Sequence, residues 1–202
     1  MLARLKQNVA EEVLRSKVQY LVICFCLFAG IAAGMFAAGG AKQGLSETTA
    51  ALLAAIKTSA VDHLAVLFYA WLQNTAVFAA ISFFSLIMAG PLFVAAIVLL
   101  KGLCVGFAVG ALSLMFGAGG FFAIVFASLL PNLILLPCIC RAGVMGWNHS
   151  LMLIRSRRTP RTARDRMVLA RPFFRRMIKV YAAALAGVLV QALASPAMLR
   201  WI

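Results

Sequence analysis

Residues 99–137 read LLKGLCVGFAVGALSLMFGAGGFFAIVFASLLPNLILLP, an apolar stretch interrupted by one lysine, Lys101, a ladder of Gly102, Gly106 and Gly110, and a Pro131-Asn132 pair. An ammonium group in hydrocarbon costs several kcal/mol, on the order of 3 or more, unless it is paired or reaches water. Glycine at every fourth position leaves a flat stripe on one helix face, where a second backbone can approach closely. The stretch therefore belongs in a membrane and packs against protein on its glycine face.

The rest of the chain agrees. Of 202 residues, 64% are hydrophobic and 12% charged, and the mean hydropathy is +1.01. A soluble domain of this size cannot hide so much apolar surface. The runs are continuous rather than alternating over ten residues, which excludes a transmembrane β-barrel and predicts an all-α, polytopic helical bundle in one membrane domain spanning 1–202.

Five spans are predicted. The first covers about Val18–Ala38. It is too long for a typical signal peptide and reads as an uncleaved anchor, preceded by a cytosolic juxtamembrane helix over 1–17. The second covers about Leu64–Met88, and a break at Gly90-Pro91 separates it from the third, Leu92–Phe116. Residues 117–120 (Gly-Ala-Gly-Gly) make a short turn. The fourth apolar region, Phe121 to about Ile154, is too long for a simple span and contains Pro131 and Pro137. It is either one kinked helix or a short re-entrant piece followed by a span. The fifth span is about Ile178–Ala194, ahead of a short tail, 195–202. Ser46 is placed to cap a short helix through Ile56 in the 39–63 loop.

Charge orients the bundle. Ten of the 19 Lys and Arg residues lie between Arg155 and Lys179, so 155–177 is predicted to be a basic cytosolic loop. Counting back, the 39–63 loop and the tail are external and the N-terminus is cytoplasmic. Arg155, Arg157, Arg158, Arg161, Arg175 and Arg176 are the candidates for contact with anionic lipid headgroups. Thr162 with Asp165 could cap a helix in this region. Nucleic-acid binding is not expected of so short a juxtamembrane segment.

Inside the membrane the polar candidates are Lys101, Asn74, Pro131 and Asn132. The carboxylates are Glu11, Glu12, Glu47, Asp62 and Asp165, none within an apolar run. Lys101 must therefore use Asn74, Ser82, Ser85, Asn132 or carbonyls freed by the prolines. Three readings are open for it: an ion or substrate site, a tie between broken-helix carbonyls, or a side chain reaching the inner surface. Gly30 and Gly34 repeat the glycine spacing in the first span and, with Gly102, Gly106 and Gly110, are the helix-packing candidates, within the chain or against another subunit. All five cysteines fall in apolar runs; the two C-x-C pairs, Cys24/Cys26 and Cys138/Cys140, put their sulfurs on roughly opposite helix faces, which suits neither zinc nor a local disulfide. His63 and His149 are isolated. Nucleotide-, metal- and serine-hydrolase motifs are absent, so no catalytic, cofactor or metal residues are assigned and the chain reads as a non-enzyme.

Asn74, Gly90-Pro91, the K-G-x-x-x-G-F-x-x-G run at 101–110, LLPNLILLP at 129–137 and Ser195-Pro196, in this order, resemble the stage II sporulation protein M family. The ordered matches cover 65–202; residues 1–64 match in layout. In this chain Pro131 and Asn132 are adjacent, where the family pattern has a residue between them, and Arg141 stands where an apolar residue is usual. The resemblance implies a septal or engulfing membrane of a spore-forming bacterium. It implies a non-catalytic scaffold that recruits two peptidoglycan hydrolases, stage II sporulation proteins D and P. The alternative from the residues is a small permease, or the membrane subunit of an exporter, that uses Lys101 and the broken helices. Anionic lipids and a second copy of the chain complete the expected partners.

Overall fold

The computed structural model describes residues 16–41, 63–116, 130–155 and 163–199. Five helices follow in order: α1 Lys17–Gly40, α2 His63–Phe84, α3 Gly90–Phe116, α4 Leu130–Arg155 and α5 Ala163–Leu199. No strand occurs among the described residues. The reason is the solvent: in hydrocarbon each backbone N–H and C=O must be paired within its own segment, which a continuous helix achieves. Three helices are long and apolar enough to cross a membrane by themselves, over Lys17–Gly40, Leu67–Phe84 and Gly90–Leu114. The other two carry polar residues that the packing explains.

α4 is the centre of the bundle and packs on each of the other four helices. Residues Ala142 to Met145 are buried, as are Leu135 and Ile139. A helix that packs on four neighbours presents only part of its surface to lipid, which is why α4 tolerates Asn132, Arg141, Asn148, His149 and Ser150. Around it, Ile23 and Leu27 of α1, Phe78 and Ile81 of α2, Val94 and Val98 of α3, and Val180, Ala184 and Val188 of α5 complete one core. The outward faces keep large apolar side chains such as Phe25, Phe36, Leu64, Leu92 and Leu133 exposed, as lipid contact requires.

α1 and α3 form the most intimate pair. Their glycine stripes face each other. A Cβ on Gly34 would stand 2.6 Å from the Phe107 backbone nitrogen, and one on Gly106 would stand 2.7 Å from the Ile31 carbonyl carbon and closer still to its oxygen. Gly30, Gly102 and Gly110 lie in the same seam. The backbones touch where other residues would hold them apart, and dispersion and Cα–H contacts along the seam replace side-chain interdigitation.

The connection between α2 and α3 lies at residues 85–89, ahead of the expected break at Gly90-Pro91. Amides of Leu86, Ile87 and Gly90 bond three residues back, to Phe83, Phe84 and Ile87, closing the last turn tightly. Gly90 opens α3, and Pro91 occupies its first turn, where the missing amide costs nothing. Ser150 of α4 clamps the connection by donating from Oγ to the Ile87 carbonyl at 2.6 Å.

Two further expectations are corrected. Pro131 sits in the first turn of α4, where a missing amide costs nothing, and only Pro137 lies in the interior of that helix. The part of the basic segment from Ala163 onward is not a loop but the start of α5, which runs 37 residues without interruption through the last span and on to Leu199. At 1.5 Å per residue this is about 55 Å, longer than the roughly 30 Å hydrocarbon layer. The 39–63 loop beyond Ala41, the Ser46 cap, the 117–120 turn, residues 121–129, the 1–15 segment, Thr162 and the end of the tail lie outside the described residues.

Candidate functional site

Two polar features stand out against this apolar bundle. The first is inside it. Lys101 Nζ donates to Asn74 Oδ1 at 3.2 Å. Asn74 Nδ2 donates in turn to the Ala70 carbonyl of its own helix at 2.8 Å and to Gln191 Oε1 at 3.4 Å. The node therefore links α3, α2 and α5. Asn74 is 1% exposed and Lys101 8%. An amide is suited to this position because it has a carbonyl for the ammonium and a donor group for two further acceptors. Nearby, Thr75 Oγ1 donates to the Trp71 carbonyl at 2.7 Å. Its single proton is thus used, so the 2.6 Å bond between Thr75 and Tyr181 has the Tyr181 hydroxyl as donor.

Of the expected intramembrane set, the fold brings Lys101 and Asn74 together. Pro131 and Asn132 sit elsewhere. Gly143 packs at Val98 and Gly146 at Val94, and this register sets Asn132 on the order of 12 Å along the bundle axis from Lys101. Ser82 and Ser85 turn back on their own segment, donating to Phe78 and Ser82 carbonyls. Gln191 was not among the sequence candidates, although it is the one amide in the last apolar run. The cysteines are free thiols.

The second feature is a cationic rim at one end of the bundle. Three contacts fix its level. Asn148 Nδ2 donates to Ser16 Oγ at 3.0 Å, Ser150 reaches the 85–89 connection, and the His149 ring stacks on Phe173 with centroids 4.4 Å apart and planes inclined by 15°. His149 is thus a buried packing element, 6% exposed, rather than an isolated group. Lys17, Arg155, Arg171, Arg175, Arg176 and Lys179 are exposed around this level or within two turns of it. The described residues at the opposite end of the helices hold no Lys or Arg. Arg157, Arg158 and Arg161 lie outside the described residues.

The profile of stage II sporulation protein M matches residues 22–196. The chain belongs to the stage II sporulation protein M family. Neither curated proteins nor solved structures gave a match. The family match reaches further toward the N-terminus than the ordered motifs do, and takes in most of α1, so both glycine stripes and all three members of the polar node fall within it. Membership makes this a sporulation-related membrane protein of the stage II sporulation protein M family.

Proposed function

We propose that this family member is a non-catalytic scaffold in the bacterial cell membrane. It recruits and anchors peptidoglycan-hydrolysing partners, the stage II sporulation proteins D and P, at the septum during spore engulfment. The observation that carries this reading is the glycine-sealed α1–α3 seam together with the family match. Helices whose backbones touch cannot slide or part without losing their packing, and a platform for partner enzymes needs such rigidity. In this reading the cationic rim is cytoplasmic. The external surfaces are then the 39–63 loop and residues 195–202, on the side where the cell wall lies.

The experiment is affinity purification of the tagged chain from sporulating cells in mild detergent. Both hydrolases should be recovered, and substitutions in 39–63 or 195–202 should reduce their recovery. A purification that returns neither hydrolase from cells that contain them removes the scaffold reading.

One observation favours a second reading, transport. A buried lysine held by an amide, as Lys101 is by Asn74, which itself donates to Gln191, is a device found along substrate paths in membranes. Lys101→Met separates the two. A scaffold carrying this substitution accumulates normally and keeps recruiting its partners, whereas a permease accumulates and loses its activity.

A further inference from the structure

The rim end of α5 carries a feature that scaffolding does not require. Phe173, Met177 and Val180 are buried against the bundle, and the His149 ring holds Phe173 in place. The opposite face of the same helix is thereby fixed outward. It presents Arg171, Arg175 and Lys179 at four-residue spacing, all exposed, rising about 6 Å per step. Between them stand two large apolar side chains, Phe174 at 39% and Ile178 at 64% exposure. No Asp or Glu follows Asp165 in the sequence, so no carboxylate later in the chain neutralises these cations.

Water alone does not suit this stripe, because Ile178 would be stranded in it. Hydrocarbon alone does not suit it either, because three cations would lose their hydration. The boundary between the two satisfies both. Ile178 lies five residues, about 7.5 Å, further into the bundle than Phe173, and Lys179 can extend its stem back toward the headgroups. We infer that Arg171, Arg175 and Lys179, with Phe174 and Ile178, form a binding site for one anionic phospholipid. The headgroup phosphate lies among the cations, and the acyl chain lies along Phe174 and Ile178. The arginines supply planar donor forks matched to phosphate oxygens, and the continuous helix sets them about one turn apart. The site does not depend on which enzymes the chain recruits, nor on which way the bundle is inserted.

The test uses the purified full-length protein in a neutral detergent. Native mass spectrometry counts retained lipid as phosphatidylglycerol or phosphatidylcholine is titrated in. Phosphatidylglycerol should be retained preferentially, with the preference falling roughly fivefold for each cation removed. The triple variant R171Q/R175Q/K179Q should hold both lipids equally, while R171K/R175K, which keeps the charge, should retain most of the preference. Phe174→Ala with Ile178→Ala should weaken retention of both lipids. Inorganic phosphate at the same concentration should not displace the lipid. Equal retention of the two lipids by the wild type, a preference that survives in the triple variant, or displacement by free phosphate would each overturn the site. Where the triple variant proves unstable, the single variants R171Q, R175Q and K179Q decide the matter, because other cations of the rim also attract anionic lipid.

Discussion

Lys101 of α3 and Asn74 of α2 are joined by a 3.2 Å hydrogen bond across the interior of the bundle, and Asn74 extends the link to Gln191 of α5. A formal cation is thus tied to three helices through neutral groups. No acid lies between Asp62 and Asp165 to take the place of the amide.

The pair should reveal itself by coupling. Asn74→Leu leaves the lysine without its amide and is expected to lower stability by about 1.5–3 kcal/mol, the range for a hydrogen bond to a charged group. Lys101→Met removes the group that needs the amide, so the double variant should be more stable than Asn74→Leu alone. Thermal unfolding of the four proteins in detergent measures this cycle. Additive losses would mean that the two side chains do not depend on each other.

The glycine seam makes a second prediction. Gly34→Leu and Gly106→Val place side chains where the facing backbone stands. Each should cost roughly 3 kcal/mol or more, at the upper end of overpacking penalties, because a backbone cannot turn aside as a side chain can. Gly39→Ala is the control. Nothing lies within 4 Å of its added methyl, and its melting temperature should stay at the wild-type value or rise slightly.

The connection between α2 and α3 depends on Ser150. Ser150→Ala removes the 2.6 Å bond to the Ile87 carbonyl and is expected to cost about 1 kcal/mol. Hydrogen exchange at residues 85–90 should speed up while α3 beyond its first turns stays protected. Gly90→Ala should be worse, since its methyl would meet the Ser150 hydroxyl at 2.5 Å.

Tyr181→Phe deletes the donor to Thr75 while leaving the edge-to-face contact with Phe78, whose centroid is 5.4 Å away. Hydrogen bonds between membrane helices are individually weak, so the loss should be about 0.6 kcal/mol. Chemical unfolding in bicelles would detect it, and a loss several times larger would mean that the hydroxyl holds more than Thr75.

The positions of the helices were legible in the sequence because apolar length in lipid leaves the backbone one economical solution. The predicted spans at Val18–Ala38 and Leu92–Phe116 correspond closely to α1 and α3. The glycine ladders were legible too, since period four marks a face whatever lies opposite. Their pairing was not, because a stripe does not name its partner; the facing of Gly34 and Gly106 depends on how two helices cross. The same limit applies to Lys101. Its need for an acceptor follows from charge and depth, which the sequence reports. The choice of Asn74 over Asn132 depends on helix register, which is set by Gly143 against Val98 and Gly146 against Val94. The basic segment misled most. Its composition describes a cytosolic loop, yet Phe173, Met177 and Val180 recur at helical spacing among the arginines and bury themselves on the bundle. Composition and hydropathy therefore determined that this chain is a helical membrane bundle with one charged end. Which helix occupies the centre, which polar groups meet there, and which cations stand on a rigid face were decided by packing between segments distant in the chain, where local sequence has no bearing.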